Sequence, residues 1–200
     1  MRALHGTSTS QRDALNCESQ LITRAAVFRF VGIILFVSIS TAVLVAAAKS
    51  LGLMISETDS AARAGVYRLT ITRLERGDLV VACLPQEIAG EGRERGYLQA
   101  GPCPGNAEPV AKVIGALPGD LLDVESSRTC VNGLCFDNSA VAQTDTIGRA
   151  LPHVEFGKRV VAPNQIWLFG FNDRKSWDSR YFGPLPIPNV RGKAQPILTW

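Results

Sequence analysis

The chain has 200 residues and a formal net charge of +3, which fits one domain of ordinary size with appendages and gives no case for direct nucleic-acid binding. Its two histidines, His5 and His153, have no metal-ligand spacing with the cysteines, so neither a metal nor a cofactor is expected. Only Lys49, Lys112, Lys158, Lys175 and Lys193 supply lysine side chains, which keeps the candidates for a general base few.

Residues 1–24 are polar and show no clear period, and residues 1–29 read as a cytoplasmic tail. Residues 30–48, F-V-G-I-I-L-F-V-S-I-S-T-A-V-L-V-A-A-A, run uncharged for about 19 positions, enough for a transmembrane helix. Arg2, Arg12, Arg24 and Arg29 precede the span against Asp13 and Glu18, so the positive-inside rule places the N-terminus in the cytoplasm and residues 49–200 in the periplasm. A cleaved signal peptide with Ala46-Ala47-Ala48 as its processing site is the alternative; the long apolar run and long leader favour a retained anchor in a bacterial inner membrane.

Ser50–Ala64 reads as a short polar connection. Val66–Thr72 alternates β-branched and aromatic residues and predicts a strand, and Leu79–Leu84 predicts a second, closed by Pro85. Residues 86–99 are charged and predict a short exposed helix, and residues 101–109 a Pro/Gly loop. Val110–Ile114 and Leu121–Glu125 predict two strands around the Pro118-Gly119-Asp120 turn, and Asn132-Gly133 predicts a hairpin over Thr129–Phe136. Residues 137–149 read as loop, Arg159–Ala162 and Gln165–Gly170 as strands, and Lys193–Trp200 as a terminal strand after a Pro-rich stretch. Many short strands with turns every few residues predict a mainly β, antiparallel, barrel-like domain behind one N-terminal transmembrane helix.

Cys17 falls in the tail, and Cys83, Cys103, Cys130 and Cys135 fall on the outer side. Cys130 and Cys135 flank the Asn-Gly turn as a cross-strand pair within disulfide reach. Cys83 and Cys103 are then left to close a loop over the charged segment, and both bridges suit an oxidising periplasm. Four reduced buried thiols are the alternative.

Lys112 is the anomaly of the chain, a charge inside V-A-K-V-I-G-A. Such a lysine either extends its head to water or is buried with a lowered pKa and becomes a base. A serine hydroxyl needs a base within hydrogen-bond reach, and the outer-side serines before Lys112 are Ser50, Ser56 and Ser60. Ser60 stands among small residues before the first predicted strand, where a peptide backbone has room to approach. The third polar stretch, G-F-N-D-R-K-S-W-D-S-R-Y-F-G-P over 170–184, holds Asp178 and Arg180 two residues apart, a candidate ion pair on an extended segment. Asp173-Arg174-Lys175 reads as exposed loop.

The order of a serine before a strand, V-A-K-V-I-G-A-L-P-G-D, V-N-G in a hairpin and N-D-R-K-S-W-D-S-R-Y-F-G-P resembles the type I signal peptidases. It is more similar to the TraF-type conjugative transfer signal peptidases, through the cysteine–proline segments at Cys83–Pro85 and Cys103-Pro104, R-E-R-G-Y at 93–97 and the ending P-I-L-T-W. The resemblance implies a signal-peptidase fold and a Ser/Lys-dyad endopeptidase with Ser60 as nucleophile, Lys112 as neutral general base and Asp178 in support. It implies an exported, pilin-like precursor as substrate and conjugation or type IV secretion components as possible partners. The family serine sits six residues before its tyrosine; counting back from Tyr67 reaches Ala61, so Ser60 needs one residue of slack and Ser56 stays open. A general signal peptidase and a non-catalytic periplasmic assembly factor are the other readings.

Overall fold

The computed structural model describes residues 29–48, 50–56, 61–173 and 176–200. The chain divides into two compact units, Met1–Ser50 and Leu51–Trp200. In the first, helix α1 (Arg29–Ala48) has a mean hydropathy of 2.6 and is long and apolar enough to cross a membrane. Its large side chains, Phe30, Ile34, Phe36 and Leu44 among them, stand exposed, as they would toward lipid.

The second unit is mainly β, and all its strand pairings are antiparallel. A seven-stranded sheet runs in the order β1 (Leu53–Ser56), β2 (Gly65–Thr70), β12 (Val190–Thr199), β3 (Leu79–Ala82), β5 (Val110–Ala116), β10 (Gln165–Phe169), β11 (Leu185–Pro186). A four-stranded sheet runs β8 (Leu134–Cys135), β7 (Thr129–Val131), β6 (Leu121–Val124), β9 (Gly157–Val160). Strand β10 joins two cores through its period of two. Ile166 and Leu168 pack with Val80, Leu84 and Ile114, while Trp167 and Phe169 pack with Leu122, Val124 and Val131.

The large sheet is strongly curled. Three strands separate β1 from β5, about 19 Å in a flat sheet at ~4.8 Å per strand. Yet Met54–Ser56 of β1 and Val110–Lys112 of β5 line one cleft of about 670 Å³.

The predicted hairpin forms, with Asn132 and Gly133 both at positive φ (51° and 85°) and Cys130 opposite Cys135. Both expected disulfides are present, Cys83–Cys103 and Cys130–Cys135. The first closes the segment holding α2 (Gln86–Glu94) and β4 (Ala100–Cys103), with a 3₁₀ turn at Pro104–Asn106 directly after it. Removing it as Cys83→Ser/Cys103→Ser should cost about 3 kcal/mol in urea unfolding, from loop closure over a separation of 20 residues. Unchanged stability in the double variant would mean that the unfolded chain gains no freedom when the bridge is lost.

Three expectations need correction. Residues 50–64 are not all connection, because Leu53–Ser56 pairs with β2. Residues 101–109 are not all loop, because Ala100–Cys103 forms β4 and bridges reach Ala107 from Ala100 and Cys103. The terminal strand starts earlier, at Val190, because β12 must pair with both β2 and β3.

Candidate active site

Strand β5 lies inside the sheet, between β3 and β10, with Val80 opposite Lys112. Its alternation puts Val110, Lys112 and Ile114 on one buried side. Lys112 is 7% exposed, so its head does not escape to bulk water. Its Nζ donates to Ser176 Oγ at 2.6 Å. Gly170 makes that approach possible: a Cβ there would collide with Ser176 Oγ and come within 3.1 Å of Lys112 Nζ.

Burial pushes the Lys112 pKa below the usual lysine range; Asp178 and Asp173 pull it back up, while Arg180 pushes it further down. A buried amine with a lowered pKa loses its proton more readily than an ordinary surface lysine and is the better proton acceptor.

The segment after β10 is tied down by its own charges. Asp178 and Arg180 are both fully buried. Arg180 donates from Nε to Asp178 Oδ1 at 2.9 Å and from Nη2 to Oδ2 at 2.7 Å, a two-point ion pair. The remaining nitrogen, Nη1, donates to the carbonyl of Ala140 at 2.9 Å. Asp178 also accepts from the N–H of Gly170 at 2.9 Å and from that of Arg180 at 3.1 Å. Leu168 N–H donates to Ser179 Oγ at 2.9 Å. These bonds fix residues 176–180 against the end of β10 and so fix Ser176 against Lys112.

The expected Asp178–Arg180 pair therefore exists, on a different backbone. Asp178 is the N-cap of a helical turn, α3 (Ser179–Phe182), because its carboxylate accepts the Arg180 N–H, and the segment is not extended there. Asp173 is exposed as expected; Arg174 and Lys175 lie outside the described residues, and so does Ser60. Ser56 is described and lines the cleft with Lys112 and Ser176. Sequence reasoning did not single out Ser176, whose only signal was its place in S-W-D-S-R. No group of three or more potential metal ligands occurs among the described residues.

The family model for signal peptidase, peptidase S26, matches residues 22–200. The chain belongs to the S26 signal peptidases. It is a serine-type peptidase of that family and falls with its TraF-type members. A conjugal transfer protein TraF from Agrobacterium fabrum is 37% identical over 139 residues, covering 68% of this chain and 77% of its own length. A probable conjugal transfer protein TraF from Sinorhizobium fredii is 38% identical over 160 residues, covering 72% and 82%. A plasmid transfer protein TraF from Escherichia coli is 31% identical over 137 residues, covering 68% and 77%. The S26 membership gives the buried lysine a chemical context, since the family is one of signal peptidases.

Proposed function

We propose that this chain is a membrane-anchored Ser/Lys-dyad endopeptidase that cleaves an exported precursor, and that the precursor is a conjugative pilin. The observation that carries the dyad is Lys112, a buried amine with a lowered pKa on the wall of an open cleft. The conjugative setting rests on the TraF relatives. Residues 1–29 form the cytoplasmic tail, 30–48 the transmembrane helix and 49–200 the periplasmic peptidase domain, an orientation supported by the arginines before the span.

In the reaction, Ser60 Oγ attacks the scissile carbonyl as neutral Lys112 takes its proton. The C–N bond breaks, the proton passes from Lys112 to the departing amine, and an acyl-enzyme remains. A water or an incoming amine, deprotonated by the same lysine, then releases the acyl group. Ser176 holds the Lys112 amine in place, and the Asp178–Arg180 pair holds Ser176. Asp178 supports the base and does not itself exchange the proton, being committed to Arg180 and to Gly170 N–H.

Ser56 is the second reading for the nucleophile, because it lines the cleft beside Lys112. Ser60→Ala and Ser56→Ala, compared on precursor cleavage in membranes, separate the two. Ser60→Ala should abolish cleavage while Ser56→Ala retains it. The reverse pattern transfers the nucleophile to Ser56, and cleavage by both variants would end the dyad reading. S26 membership speaks against a non-catalytic assembly factor. A general signal peptidase would process many unrelated precursors in the same membranes, whereas a pilin enzyme would leave them intact.

A further inference from the structure

One wall of the cleft comes from the disulfide-closed segment, at Tyr97, Leu98 and Gln99. Tyr97 is held there from outside its own segment. Its hydroxyl donates to Asp145 Oδ2 at 2.7 Å, and the Arg149 guanidinium lies 5.5 Å over its ring. Arg149 Nε donates to the same Asp145 oxygen at 2.6 Å, and the N–H groups of Ile147 and Arg149 donate to Oδ1. Two crossed bonds complete the latch: Arg149 Nη2 to the carbonyl of Arg95 at 2.7 Å, and Arg95 Nη1 to the carbonyl of Ala150 at 3.0 Å.

Burial opposes ionisation of Asp145, but the bonds from Tyr97 and Arg149 and from the two N–H groups outweigh it and hold its carboxyl well below the usual range. The latch therefore stays charged at working pH. Inside the cleft, the Tyr97 ring meets the Trp177 ring at 5.5 Å, and Trp177 directly follows Ser176. Trp177 in turn packs on α2 at Gly92, where a Cβ would press into its indole ring. Tyr97 and Trp177 thus form an aromatic wall whose far side is pinned and whose near side faces the cleft that holds Lys112.

We infer that Tyr97 is a specificity-determining residue: its pinned ring limits the size of the precursor side chain that the cleft admits next to the scissile bond. Asp145 and Arg149 act through it as positioning residues. This role presupposes that the precursor lies in the Lys112 cleft, as proposed above. A rigid wall discriminates by shape, because a larger side chain can enter only by displacing a ring that Asp145 and Arg149 hold. A loosely held ring would yield, and selection would fade.

The test uses the full-length protein in membrane vesicles with an exported precursor that the wild type cleaves, its residue before the scissile bond varied through Ala, Ser, Val and Leu. The readout is the ratio of kcat/KM for the Leu and Ala precursors. Tyr97→Ala should raise that ratio by about tenfold, mainly through a lower KM for the Leu precursor. Tyr97→Phe, which keeps the ring and loses only its bond to Asp145, should raise it by a smaller factor. Should Tyr97→Ala unfold, Tyr97→Leu carries the comparison, since it keeps an apolar partner for Trp177. An unchanged ratio in folded variants, or an equal fall in kcat for all four precursors, overturns the inference. Lys112→Ala run in parallel isolates the dyad: cleavage at close to the wild-type rate there counts against the lysine base, while the ratio in the Tyr97 variants still reports on the wall.

Discussion

Replacing Lys112 with alanine lowers precursor cleavage by about a hundred- to ten-thousandfold, the scale on which a positioned general base contributes. Lys112→Arg is equally inactive, although it restores the positive charge, because a guanidinium does not give up its proton in a protein. That second variant separates a base from a structural cation. Near-wild-type activity in Lys112→Arg would mean that the site uses the charge of Lys112 and not its lone pair. The same burial has a measurable effect on stability. The folded-state pKa of Lys112 lies below its unfolded value, so the unfolded chain binds more protons between the two. Lys112 therefore costs stability at low pH, and the cost fades as pH rises from the lowered pKa toward the ordinary lysine value. Lys112→Met should resist acid unfolding better than the wild type while being inactive.

The second large effect is on folding. Arg180→Ala should destabilise the protein by about 3–5 kcal/mol in denaturant unfolding, because it strands the buried Asp178 carboxylate without its partner. The loss is more than one ion pair, since Arg180 also bonds the Ala140 carbonyl and reaches the carbonyl of Ser176. Arg180→Lys should recover only a fraction, since a single ammonium cannot span both carboxylate oxygens and Ala140 together. A loss below about 1 kcal/mol in Arg180→Ala, typical of an exposed ion pair, would show that water reaches Asp178.

What could be read from the sequence followed from how local each signal was. The hairpin at Asn132-Gly133 and its Cys130–Cys135 bridge were legible because a two-residue turn fixes its own register. Strands β3, β5 and β10 were legible as apolar runs. Strand β4 was not, because Ala-Gly-Pro-Cys has little intrinsic preference for extended pairing and is held by its bridges to Ala107. Strand β1 was hidden for a different reason: Leu-Met-Ile-Ser is a short apolar run between the span and a polar stretch, and its four residues read as part of that connection.

The site divides the same way. Lys112 announced itself, since a charge in an apolar strand conflicts with its surroundings. Asp178 and Arg180 were legible as a pair because they are two residues apart. Their helical turn was not, because it depends on Asp178 capping it. Ser176 reaches Lys112 across 64 positions and Asp145 reaches Tyr97 across 48, and nothing local signals either meeting.

The pH dependence of precursor cleavage tests the central claim most directly. With wild-type protein in membranes, kcat/KM measured from about pH 5 to about pH 9 should fall on the acidic side as Lys112 takes up a proton and can no longer accept one from serine. The neutral fraction, and with it the rate, should reach its plateau well below the ordinary pKa of a surface lysine. A rate that stays flat to the acidic end, or one that keeps rising toward about pH 10 as for an unperturbed lysine, would contradict a buried, neutral Lys112 base.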